Sequence, residues 1–214
     1  LPDWWDNIWT QFRFSEKPPF GNYDILVDTF GKRLVYIYGR AEAHTCTYSN
    51  LEMSRTRLKT YGVDGRLDIF DIEADRPEGR GAGNLLFLYE GKQITQRLVN
   101  LDAKFNLSAL SGLLGEDFSR AIEDFSLTNP PHLRLAGTLF DRNAPPGQQR
   151  DLQIRAESRS PLKYRQLPFD WLSFDGRISE NEFSFEPFRF GYANGQAEGS
   201  LHLTRTSSGN RLFI

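Results

Sequence analysis

The feature that most constrains this chain is that it says the same thing twice. "FRFSEKPPFGNYDILVDTF" (12–30) and "FSLTNPPHLRLAGTLF" (125–140) each lead two aromatic or apolar residues into a double proline and then an alternating apolar run. Further matches follow in the same order: Arg40-Ala41-Glu42 with Arg155-Ala156-Glu157, Tyr48 with Tyr164, Leu51 with Leu167, Gly83 with Gly199. The offset stays within a few residues of 115. One such match means nothing; a run of them in register means a duplicated unit, each copy covering the other's apolar edge. The expected organisation is a first repeat over 1–106 and a second over 107–214, stacked as one continuous sheet.

Within each copy the period is two. "RLVYIYGRAEAHT" (33–45), "QITQRLVNLDAKF" (93–105) and "HLRLAGTLF" (132–140) alternate apolar and polar residues, as half-buried strands do. The composition agrees, with 17 Phe, 8 Tyr and 4 Trp against a single Met, since aromatic residues suit a pleated surface. Asn194-Gly195 reads as a two-residue hairpin turn and "PEGRG" (77–81) holds the matching place. Turns this close together predict antiparallel meanders. Each copy also opens with a predicted amphipathic helix. Trp5, Ile8, Trp9 and Phe12 fall at i, i+3, i+4, i+7, and Leu110, Leu113, Leu114, Phe118, Ala121, Ile122 and Phe125 follow one stripe. Ser108 is the expected N-cap, and each Pro-Pro pair is read as the hinge from helix to sheet.

Chemistry is hard to find. His44, His132 and His202 fall on separate predicted strands without ligand spacing, and "VDGRLDIFDIEAD" lacks the order of a calcium loop. "GRGAG" (79–83) has neither the spacing nor the strand-to-helix context of a phosphate loop. No G-x-S-x-G is present. The net charge of −2 offers no basic surface for nucleic acid. Cys46 has no partner for an internal disulfide. No metal, cofactor or catalytic set is expected, and a β-rich carbohydrate-active enzyme ranks far behind. The start at Leu1 and the stop within an apolar phrase suggest a piece of a longer parent.

What remains is surplus apolar surface. "NEFSFEPFRFGY" (181–192) carries Phe183, Phe185, Phe188, Phe190 and Tyr192, and its alternation changes phase around Glu186-Pro187, as at a bulge. Leu67 and Ile69 lie in one phase, Phe70 and Ile72 in the other. Leu133 and Leu135 share a face. That surface either packs on the helix and the other copy, or stays open and greasy.

The phrases "WWDNIWTQFRFSEKPPFGNYDI", "GRAEAHTCTYSNLEMSRTRLKTYGVDGRLDIFDIEADRPEGRGAG" and "LLGEDFSRAIEDFSLTNPPHLRLAGTLF", with strand units such as "LRLAG" (133–137), resemble the repetitive C-terminal region of the AsmA-like superfamily of bacterial envelope proteins. The resemblance implies a mainly β fold: two repeats of an amphipathic helix and a curved antiparallel meander, forming a taco-like β-groove. It implies lipid transport in the periplasm towards the outer membrane, by a parent anchored in the inner membrane through parts outside this chain. The partners implied are phospholipid acyl chains and neighbouring repeats of the parent. The groove would present Phe183, Phe185, Phe188, Phe190, Tyr192, Leu67, Ile69, Ile72, Leu133 and Leu135. Trp5, Ile8, Trp9, Phe12, Leu110, Leu114, Phe118 and Ile122 would cap or plug it. If they plug it, the chain is a lipid-free structural or assembly module of the envelope. Asp3 and Asp6 argue against a first helix lying on a membrane.

Overall fold

A computed structural model describes residues 10–15, 17–30, 34–91, 93–146, 148–206 and 209–213. The first half contains β1 (Phe12–Phe14), β2 (Phe20–Asp28), β3 (Leu34–Tyr48), β4 (Leu51–Val63), β5 (Arg66–Arg76), β6 (Gly79–Glu90) and β7 (Gln93–Lys104). A helical insert follows: a 3₁₀ turn (Leu107–Leu110), α1 (Ser111–Leu114) and α2 (Glu116–Ile122). The second half contains β8 (Phe125–Leu127), β9 (His132–Asp141), β10 (Asp151–Ser158), β11 (Leu162–Tyr164), β12 (Leu167–Phe169), β13 (Trp171–Ser179), β14 (Glu182–Tyr192), β15 (Gly195–Thr206) and β16 (Gly209–Phe213).

Thirteen strands make one open antiparallel sheet, and its order from β3 to β16 follows the chain. β1 and β2 lie side by side along the far edge of β3, at opposite ends of that strand. β8, β11 and β12 form a separate three-stranded sheet. Tight hairpins explain the sequential order. Ser49-Asn50, Asp64-Gly65 and Ala193-Asn194 each have two positive φ angles, the backbone that matches the right-handed twist of the flanking strands. In the last case the turn sits one residue earlier than the Asn-Gly dipeptide suggests, because Gly195 already pairs with Tyr192.

The ladders of the two halves run in parallel. Phe12 pairs Tyr48 in the first half and Phe125 pairs Tyr164 in the second, with ring centroids 4.8 and 4.9 Å apart. The β5–β6 ladder shifts register between Ile69 and Ile72, and the β14–β15 ladder between Phe185 and Phe188, 116 residues later. The β6–β7 hairpin begins at Glu90↔Gln93 and the β15–β16 hairpin at Thr206↔Gly209, again 116 apart. One difference stands out. The fifteen-residue β3 corresponds to β10 plus β11, broken at Arg159–Pro161, and this break detaches the small sheet.

The bulges decide which residues share a face. Without one, Ile69 and Ile72 would point in opposite directions; the extra residue at Phe70-Asp71 turns both, with Leu67 and Ala74, into the same core. Asp71 takes φ 50° there. Phe183, Phe185, Phe188 and Phe190 are brought together in the same way across Glu186-Pro187. β7 repeats the device between Leu98 and Leu101. The resulting single cluster runs from Ala43 to Phe183 and includes Phe87, Leu133, Leu152 and Ile178, none of which exposes any surface.

The helical expectation needs correction. The stripe from 108 to 125 is not one helix: Gly115, at φ 90°, separates α1 from α2, and Ser108 lies inside the 3₁₀ turn rather than capping it. Phe12 and Phe125 are strand residues. Apolar spacing alone permits a helix at both places, but pairing to Tyr48 and Tyr164 supplies ladder bonds that a marginal helix lacks. Each Pro-Pro pair therefore joins a three-residue strand to a long one. Trp5, Ile8 and Trp9 lie outside the described residues. Gly112 permits α1 to sit on the β3–β4 turn, since a Cβ there would come within 2.7 Å of the Ser49 carbonyl.

Gly137 is the clearest test of the ladder geometry. Its φ of 128° is a backbone that L side chains avoid, and a Cβ would collide with the Asp151 carbonyl. Gly137→Ala is expected to cost about 1–3 kcal/mol, roughly what one strained residue carries. In urea unfolding this is a lower midpoint at unchanged slope.

Candidate functional site

The two faces of the sheet differ in kind. One is a field of cross-strand ion pairs: Glu42–Arg55 at 2.6 Å, Arg57–Glu73 at 2.6 Å, Lys59–Asp71 at 2.8 Å, Asp151–Arg177 at 2.6 Å and Arg189–Glu198 at 2.7 Å. Asn84 and Asn100 continue the row with a 2.8 Å amide bond. The hydrogen bond from His132, with Arg134 beside it, holds the Asp102 carboxyl below its ordinary range. Arg80 does the same for Asp75. Exposed pairs like these contribute about 0–1 kcal/mol each; their effect is to keep this face wet. Two clefts lie on it, of about 630 and 680 Å³. Acids and bases within them pair with one another, as in Arg155–Asp175 and Lys59–Asp71. Among the described residues no three His, Cys, Asp or Glu side chains cluster as a metal site.

The other face is apolar, and its two halves are covered differently. Over the first half lie β1 and the helical insert. Leu107, Leu110, Leu114 and Phe118 are all buried in the common core, and Arg150 donates to the Leu114 carbonyl at 2.5 Å, tying the insert to the sheet. What is left is a cavity of about 70 Å³ between Phe12 and Leu113 above and Ile69, Ile72 and Ala74 below. Tyr48 lines it, and burial pushes its phenol well above the ordinary tyrosine range. Cys46 is buried nearby, its Sγ 3.2 Å from the Thr56 hydroxyl, and burial raises its thiol.

In the second half the counterparts of Ile69, Ile72 and Ala74, 116 residues on, are Phe185, Phe188 and Phe190. They form a continuous aromatic shelf. Phe174 lies 4.7 Å from Phe185 and 6.1 Å from Phe188, Phe188 6.1 Å from Phe190, and Phe190 5.0 Å from Phe169. The shelf is only half-buried, and Tyr192 at its end is exposed. Beside it, Gly199 pairs with Phe188 and faces open space where a side chain would be.

The expected groove residues are therefore divided. Leu67, Ile69, Leu133, Leu135 and Phe183 are fully buried core. Phe185, Phe188 and Phe190 are half-open, as is Ile72 on the sealed side. Among the expected plug residues, Leu110, Leu114 and Phe118 are buried and Ile122 is half-buried. Phe169 and Phe174, which complete the shelf, were not among the expected residues; Leu172 and Phe174 alternate in "DWLSFDG" and carried the signal. No family model, curated protein or solved structure matches the chain.

Two measurements check this division. Cys46 is expected to resist a thiol reagent in the native protein and to react fully in urea, because its sealed surroundings exclude both water and reagent. Phe118→Ala is expected to cost about 3–5 kcal/mol, the range for removing a buried ring, whereas Arg57→Ala should cost under about 1 kcal/mol. Acidification should also destabilise the protein. Asp75 and Asp102 have lowered folded-state values, so their contribution is present above the unfolded carboxylate range near pH 4 and is lost below it. Asp102→Asn should make the acid-induced drop shallower.

Proposed function

We propose that this chain is a segment of an AsmA-like bacterial envelope protein whose apolar sheet face receives lipid acyl chains, with the aromatic shelf of the second half as the point of contact. The observation that carries the reading is the half-open row Phe185, Phe188, Phe190 and Tyr192, continuous with a buried apolar face and backed by a polar one rich in ion pairs. Exposing a 16-carbon chain to water costs on the order of 12 kcal/mol at about 0.8 kcal/mol per CH₂. A shelf of rings beside the open space at Gly199 lowers that cost while a head group stays in water. No bond changes, so no catalytic group is required. In this reading the parent protein works in the periplasm between the membranes, anchored in the inner one, with neighbouring repeats continuing the sheet. Among the described residues no helix is long and apolar enough to cross a membrane.

A specific observation favours a second reading. The insert fills the first half and leaves about 70 Å³, less than half of the roughly 150 Å³ that admits a benzene ring. An acyl chain does not fit there unless the insert moves. If the shelf too is covered by protein in the parent, the chain is a lipid-free scaffold module.

The deciding experiment is lipid identification by mass spectrometry after mild extraction, together with binding of a fluorescent phospholipid. Stoichiometric lipid is expected with the native protein. Phe188→Glu and Phe190→Glu should abolish it while the circular dichroism spectrum is unchanged. A protein free of lipid that binds no phospholipid, or shelf variants that bind normally, would assign the scaffold role.

A further inference from the structure

The two clefts on the polar face adjoin, since Asn100 and Asp102 line both. Together they form a trough across the middle of the sheet, from Arg40 on β3 to Ser184 on β14. It crosses nine strands in turn, roughly 38 Å along the sheet at about 4.8 Å per strand. Each part, at about 630 and 680 Å³, falls within the range of ligand sites, about 300–1,000 Å³.

The backbone has little to offer a ligand here, because each of these strands is hydrogen-bonded to a neighbour on both sides. The trough works through side chains, and their charges cancel: six bases and six acids line it. Arg57–Glu73, Lys59–Asp71, Arg134–Asp102 and Arg155–Asp175 pair across neighbouring strands. An anion would satisfy the bases and meet like charge on the acids, and a cation the reverse. A hydroxyl donates one bond and accepts two, so it bridges the acid and base of a pair and leaves both partnered. The amides of Asn84, Asn100 and Gln153 and the Ser184 hydroxyl, which also line the trough, donate and accept in the same way.

Beside the trough stands an aromatic pair. Tyr38 and Tyr61 lie directly opposite each other on β3 and β4 and are 51% and 40% exposed. They share the polar face with Arg40 and Lys59, two residues further along the same strands, which line the trough. Opposed side chains of a ladder stand about 4.5–5.5 Å apart at Cβ, so the two rings make one apolar patch with hydroxyl tips. A pyranose ring has the matching form: a face of C–H groups that packs on aromatic rings, and a rim of hydroxyls. We propose that the trough binds an uncharged linear oligosaccharide of hexopyranose units, packed on Tyr38 and Tyr61 at one end and hydrogen-bonded along its length by the acid–base pairs and amides. This inference stands apart from the lipid reading, because it uses the opposite face of the sheet.

The probes are cellohexaose, maltohexaose and chitohexaose, titrated into the full chain by calorimetry. Saturable binding of at least one is expected. It should be weaker for the corresponding disaccharide, and constant over a roughly tenfold range of salt, because no net charge is engaged. Arg155→Ala should weaken binding about tenfold or more, the range for losing hydrogen bonds from a charged group. Tyr38→Ala combined with Tyr61→Ala should weaken it at least as much, and neither variant should alter the circular dichroism spectrum. Phe188→Glu should leave saccharide binding intact, so failure of the shelf and failure of the trough are read separately. The inference is overturned if none of the three hexasaccharides binds, if the disaccharide binds as tightly as the hexasaccharide, or if either variant binds normally. Heparin binding that falls steeply with salt, in place of saccharide binding, overturns it too and assigns this face to a polyanion.

Discussion

A β-strand shows its side chains alternately to two faces, and a one-residue slip exchanges the faces along its whole remaining length. Everything in this molecule depends on controlling that phase. Strands of eleven to fifteen residues, such as β5 and β3, are long enough that a strict alternation is hard to maintain against a sheet that must twist. The bulges at Phe70-Asp71, between Leu98 and Leu101 and at Glu186-Pro187 reset the alternation partway along each strand. Because they recur along the sheet, in β5, β7 and β14, the oily side chains of those strands stay on one side from end to end. The ion pairs and the core are consequences of this one adjustment.

Much of the fold could be read from the residues for the same reason. The alternation, the turn dipeptides and the phase change at Glu186-Pro187 are local, and each has a local cause. The helices were the exception. Leu110, Leu114 and Phe118 do fall on one stripe, but the stripe spans two short helices and a 3₁₀ turn, because Gly115 takes a backbone that ends a helix. Phe12 and Phe125 fit the helical period by spacing and belong to strands by pairing. That pairing lies 36 and 39 residues away in sequence, at Tyr48 and Tyr164, beyond the reach of periodicity.

The candidate site was legible as residues but not as a site. Phe185, Phe188 and Phe190 announce an apolar face; whether that face is roofed depends on which segment packs over it. Ile69 is equally apolar and lies at the position corresponding to Phe185, yet it is fully buried beneath the insert.

The strands of the main sheet are laid down nearly in the order in which they occur along the polypeptide. Each new strand finds its partner in the strand before it, so most loops to be closed are two or a few residues long and little entropy is lost at each step. Such a topology has a low contact order for an all-β protein, which favours fast assembly. It also lets the sheet grow by zippering from one end as the polypeptide emerges, with the β7-to-β9 step, across the insert, and the β10-to-β13 step, across β11 and β12, as longer closures.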